Sequence, residues 1–116
     1  MLIFVLFWYI SPAYSLGEEK KLTVSSEVMQ LFKDKKFTEV INELSKITDK
    51  LDSESLTILG NSYSQTNNPI AAIKTYTLAL SIKDKNFEAK TLIGQEYLNL
   101  NKYPEALTHL KEALDW

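Results

Sequence analysis

Four side-chain amides carry the most suggestive chemistry in this chain: Asn61 and Gln65, then Gln95 and Asn99. The interval from Asn61 to Gln95 equals that from Gln65 to Asn99, with Asn and Gln exchanged. An amide both donates and accepts hydrogen bonds, so a ladder of them could hold the backbone of an extended peptide. Glu54 and Thr57 recur at the same spacing as Glu88 and Thr91, which extends the row to eight candidate peptide-binding residues.

Catalytic chemistry finds much less. His109 is the one imidazole and cysteine is missing, so neither a zinc site nor a thiol nucleophile can be assembled. His109 reads as a solvated residue on the polar side of the last helix. The carboxylate pairs Glu105/Glu112 and Asp49/Asp52 read as ordinary helix-surface charge. The glycines stand apart at 17, 60 and 94 and make no phosphate loop, and no serine has a His partner in a strained turn. We therefore expect no enzyme activity, no metal and no cofactor. All 13 basic residues are lysine, which denies the chain a bidentate guanidinium clamp. A net charge of −2 gives no footprint for nucleic acid.

The elements that must position the amide row are helices. Leu56, Leu59, Gly60 and Tyr63 fall on one helical stripe, and Ala72, Ile73, Tyr76, Ala79 and Leu80 fall on a second. Between them "QTNNP" places Asn68 to cap a helix that begins at Pro69. So short a turn makes the two helices antiparallel neighbours. Aligned without a gap, residues 56–80 and 90–114 agree at 7 of 25 positions. Gly60/Gly94, Tyr63/Tyr97, Ala72/Ala106 and Ala79/Ala113 are the demanding ones. Glycine inside a helix costs about 1 kcal/mol relative to alanine, so its return signals close packing.

Those residues resemble the tetratricopeptide repeat family, whose 34-residue helix-turn-helix unit carries Leu-Gly-x-x-Tyr, then Ala, an aromatic and Ala. "LTILGNSYSQTNNPIAAIKTYTLALSIKDKN" fits at Leu59, Gly60, Tyr63, Ala72, Tyr76 and Ala79. "TLIGQEYLNLNKYPEALTHLKEAL" fits at Ile93, Gly94, Tyr97, Ala106 and Ala113, with Leu110 in place of the aromatic and Lys90 in place of the first apolar residue. "KKFTEVINELSKI" parallels "NKYPEALTHLKEA" and suggests an earlier, degenerate unit, with Val40, Ile41, Leu44 and Ile47 on its second helix. Its first helix is predicted over Thr23 to Asp34, with Val28 where the glycine belongs. The expected fold is all-α, an α-solenoid of units at roughly 21–52, 53–86 and 87–116.

The resemblance implies a protein-interaction module whose first helices line a concave face that binds a protein or peptide segment. Relatives that bind chaperones grip a C-terminal carboxylate with a cationic clamp. Here Glu54 and Glu88 take comparable positions, which disfavours an acidic ligand and favours a neutral or basic one. At the other end of the stack, Leu107, Leu110, Leu114 and Trp116 include side chains that a following helix would cover. Self-association, a docked partner or further repeats would each do so. The competing readings are a self-assembling structural subunit and an accessory piece of a longer repeat protein or secretion machine.

Ahead of the repeats, Leu2 to Ile10 is an apolar run of nine residues, too short to cross a bilayer as a helix. Ser11 and Pro12 end it, Ala13-Tyr14-Ser15 offers a small-x-small cleavage site, and Glu18 to Lys21 is charged. Residues 1–15 are expected to be an export signal cleaved near Ser15, leaving 16–116 as a periplasmic or extracellular domain. No lysine or arginine precedes the run. The alternatives are an apolar helix folded onto the domain and a short membrane-associated anchor.

Overall fold

The computed structural model describes residues 20–114, so the expected export signal and Trp116 lie outside the described residues. Helices α1 (Ser26–Lys33) and α2 (Phe37–Leu44) lead into a 3₁₀ segment, Ser45–Lys50. Then come α3 (Ser53–Gln65), α4 (Pro69–Ile82), α5 (Phe87–Asn99) and α6 (Tyr103–Leu114). The described chain is helical throughout apart from loops and one isolated bridge between Leu22 and Leu51. None of its helices is long and apolar enough to cross a membrane.

One turn is used three times. Lys35, Asn67 and Asn101 hold left-handed φ angles of 61°, 64° and 61°. Each closes the same pair of hydrogen bonds: Asn67 N–H to Ser64 O and Asn68 N–H to Tyr63 O, repeated as Lys35 to Phe32 with Lys36 to Leu31, and as Asn101 to Leu98 with Lys102 to Tyr97. This is the Schellman ending, in which one left-handed residue satisfies the last helical carbonyls and reverses the chain. Asparagine tolerates that conformation better than most side chains, which is why it recurs at 67 and 101. Asn68 does not cap α4 with its side chain. Its amide donates instead to Thr66 O and Thr66 Oγ1, at 3.2 and 3.0 Å, so the turn itself consumes it.

The interval from Lys35 to Asn67 is slightly shorter than the interval from Asn67 to Asn101. The difference is absorbed after α2, where Ile47 leaves helical geometry (φ −131°, ψ 29°) and the chain tightens into the 3₁₀ segment. At the start, α1 is shorter than its apolar pattern suggests because residues 22–24 are engaged elsewhere. Leu22 N–H donates to Lys50 O and Leu22 O accepts from Asp52 N–H, while Val24 N–H donates to Ser55 Oγ. A backbone committed to those partners cannot also enter a helix, and Ser25 caps α1 instead.

The core runs through the layers. Val40, Leu56, Leu59, Ala72, Tyr76, Ala79 and Ala89 are fully buried, and Ile93 nearly so. Val28 and Leu44 extend it into the first helix pair. Burial of these apolar side chains supplies the main stabilisation, about 1.5–3 kcal/mol for each large one.

Candidate functional site

The first helices α3 and α5 are fixed at their N-termini by matching caps. Asp52 Oδ1 accepts from Ser55 N–H at 2.8 Å, and Asn86 Oδ1 accepts from Ala89 N–H at 3.0 Å. Burial alone would raise the Asp52 carboxyl, but hydrogen bonds from Ser55 and Thr23 outweigh it and hold the group below its usual value.

With the helix starts fixed, the partner helices close over the glycines. A Cβ on Gly60 would stand 2.6 Å from Cδ1 of the Tyr76 ring and nearer still to Cε1, and one on Gly94 would stand 2.7 Å from Leu110. The small residues Ala72, Ala79, Ala106 and Ala113 are buried along the same seams, while Tyr63 and Tyr97 are half-buried beside them.

The row of candidate binding residues divides. Gln65, Glu88, Thr91, Gln95 and Asn99 are exposed. Glu54 is exposed too, with its carboxylate accepting from Lys83 Nζ at 2.8 Å. That hydrogen bond holds Glu54 below and Lys83 above their ordinary values. Asn61 is half-buried and accepts the Tyr76 hydroxyl at 2.7 Å, so part of its amide is already occupied.

Thr57 corrects the sequence expectation. It is 3% exposed, donates to Ser53 O at 3.0 Å and accepts from Asn86 Nδ2 at 3.1 Å. The next layer covers it, and no ligand can reach it. His109 is a second correction: it stacks on Tyr97 with ring centroids 5.3 Å apart, and its Nδ1 is buried without a hydrogen-bond partner. Thr75, one unit earlier, is buried as well, so this helix position faces inward in both units.

Sequence reading missed a polar seam between layers. Asn86 Nδ2 donates to Ser53 Oγ at 2.8 Å and Ser53 Oγ donates to Ala79 O at 2.8 Å. Farther along, buried Glu96 accepts from Ser64 Oγ. The signal available for Asn86 was its place one repeat length after the Asp52 cap, both standing just ahead of a first helix.

A family model for the tetratricopeptide repeat matches residues 53–86 and again residues 87–116, more than half of the chain. The chain belongs to the tetratricopeptide repeat family. Its two matched units begin at α3 and α5, and the architecture is an all-α repeat solenoid. Among curated proteins it is 29% identical over 115 residues to the anaphase-promoting complex subunit CDC16 of Saccharomyces cerevisiae. That match covers 91% of this chain and only 14% of the relative, so the chain spans a small part of that protein. Among solved structures, MamA MSR-1 C2 superposes with a TM-score of 0.72 at 19% identity. The superposition covers 76% of this chain and 52% of the other, a likeness of fold. A tetratricopeptide repeat fold suggests a protein-interaction module, and non-catalytic scaffolds are the general rule in the family.

Proposed function

We propose that this chain is an exported tetratricopeptide module that binds an extended, neutral or basic peptide segment along α3 and α5. The observation that supports it best is the exposure of Gln65, Gln95 and Asn99 on successive layers, Gln65 and Asn99 at the same repeat position. Three amides placed on a rigid stack can bond a peptide backbone with little ordering of the protein, which is where preorganised sites gain affinity. Glu54 is partly neutralised by Lys83, and Glu88 leaves the face mildly acidic. Export rests on the apolar run and small-x-small pattern of residues 1–15. The Schellman turn at Lys35 supports residues 21–52 as a third, degenerate unit.

The test begins with peptides selected from a random display library on the full chain. Calorimetry should show that Gln65→Ala, Gln95→Ala and Asn99→Ala together weaken the selected peptide at least tenfold, since each hydrogen bond is worth about 1 kcal/mol. All three side chains are exposed, so unfolding should be unchanged. Unaltered affinity, or selection of acidic peptides, would remove this reading. Asn61 is left intact because its loss would also strip Tyr76 of a partner.

A further inference from the structure

The flank of α4 turned away from α3 and α5 is apolar in a way the repeat does not require. Ala72, Thr75, Tyr76 and Ala79 take the inner side of this helix and are buried. On the outer side Ile70, Leu78 and Ile82 are 56%, 46% and 40% exposed. One unit later the positions of Ile70 and Leu78 hold Pro104 and Glu112, both exposed and neither aliphatic. Stacking also leaves this flank out. The helices α3 and α5 pack against other sides of α4, and helix pairs already stand before and after the α3–α4 pair. A further repeat added at either end of the stack would not reach it.

Along this flank runs an open groove of about 440 Å³, lined by Ile73, Lys74, Thr77, Leu78 and Ser81. Ile73, Thr77 and Ser81 form one row at four-residue spacing, and Ile70, Lys74, Leu78 and Ile82 form the next. A channel between two such rows is what a ridge on another helix fills, and the short Thr77 and Ser81 let that helix come close. Their hydroxyls are turned back onto α4, donating to Ile73 O at 2.7 Å and Leu78 O at 2.6 Å. The floor therefore offers apolar surface. Lys74 is the one charged residue of α4, exposed at the edge of the groove and without an ion-pair partner among the described residues. Lys83, the next cation along the chain, is already engaged by Glu54.

We propose that this groove seats an acidic amphipathic helix of a partner protein. An aliphatic ridge of that helix enters between the two rows, and an Asp or Glu beside the ridge meets Lys74. A second copy brings the wrong charge. Two α4 helices crossing about a twofold axis at the middle of the groove set Lys74 beside Lys74, and neither helix carries an acid to pair with it. The proposal uses a different surface from the amide row and stands independently of it.

The test is a display library of helical peptides, randomised over the whole helix surface and selected on the full chain. Selected sequences should share aliphatic residues at four-residue spacing flanked by Asp or Glu. Fluorescence anisotropy with a labelled selected peptide should show Leu78→Glu weakening it at least about thirtyfold, as the loss of a central apolar anchor does. Lys74→Glu should weaken it about fivefold, and a peptide with its acids changed to lysine should recover that loss on the variant. Both side chains are exposed, so helicity should be unchanged. Leu114→Glu, at a position 73% exposed on the last described helix, should leave binding intact. No selected helix, selection of basic helices, indifference to Leu78→Glu, or loss of binding through Leu114→Glu overturns the proposal. So does a concentration-dependent dimer, or adsorption to phosphatidylglycerol vesicles, that Leu78→Glu abolishes, since either assigns the groove another occupant.

Discussion

Gly60→Leu should destabilise the fold by about 3 kcal/mol or more, and Gly94→Leu should cost clearly less. The first substitution drives atoms into the Tyr76 ring, whose Cδ1 already lies 2.6 Å from the place a Cβ would take, with Cε1 closer still. That ring has nowhere to go: Tyr76 is fully buried and its hydroxyl is tied to Asn61. At Gly94 the obstacle is the Leu110 side chain, an aliphatic chain half-buried on α6 and with no hydrogen bond to hold it, with the Ala106 carbonyl oxygen at an ordinary 3.4 Å. Both variants recover about 1 kcal/mol of helix propensity, so propensity cannot produce the difference. Denaturant unfolding followed by circular dichroism measures it, and equal losses would contradict the packing described above.

Truncation of the same ring should be as damaging as crowding it. Tyr76→Ala removes the largest fully buried side chain among the described residues and should cost about 3–5 kcal/mol, a normal loss for an aromatic residue in a core. Tyr76→Phe keeps the ring and loses one hydrogen bond, about 1 kcal/mol. Burial raises the phenol well above its ordinary value, with the Glu96 and Glu88 carboxylates adding to the shift, so Tyr76 stays a donor to Asn61 into strongly alkaline solution. Urea titration of the two variants should separate them by roughly 2 kcal/mol or more. A Phe variant as unstable as the Ala variant would mean that the hydrogen bond, rather than the packed ring, carries the stability of this layer.

The seams of the fold were legible in sequence because a glycine or alanine at a helix crossing must match one partner, and the match recurs between the units at 53–86 and 87–116. Exposure was less legible because it depends on the following layer. Thr57 and Thr91 are the same residue at the same repeat position, yet Asn86 buries the first and the second is exposed. His109 shows the same limit: its helix pattern looks polar, but the neighbouring Tyr97 ring turns it inward. Asn68 had the composition of a cap and went to the turn. Thr23 and Val24 looked helical until their partners on the far side of α2, Asp52 and Ser55, were known, and contacts at that sequence distance leave no local trace.

The central physical claim is that a glycine on the first helix and a bulky side chain on the second, Gly60 with the Tyr76 ring and Gly94 with Leu110, are complementary across the α3–α4 and α5–α6 pairs and thereby set the layers that carry the surface residues. The most direct measurement is a double-mutant cycle of Gly60→Ala and Tyr76→Leu, the second imitating the Gly94–Leu110 pair. Alone, Gly60→Ala should destabilise by about 1–2 kcal/mol. In the Tyr76→Leu background it should cost nearly nothing, giving a coupling of at least about 1 kcal/mol. Additive effects within about 0.5 kcal/mol would show that the two residues do not meet across the seam, and would contradict the claim.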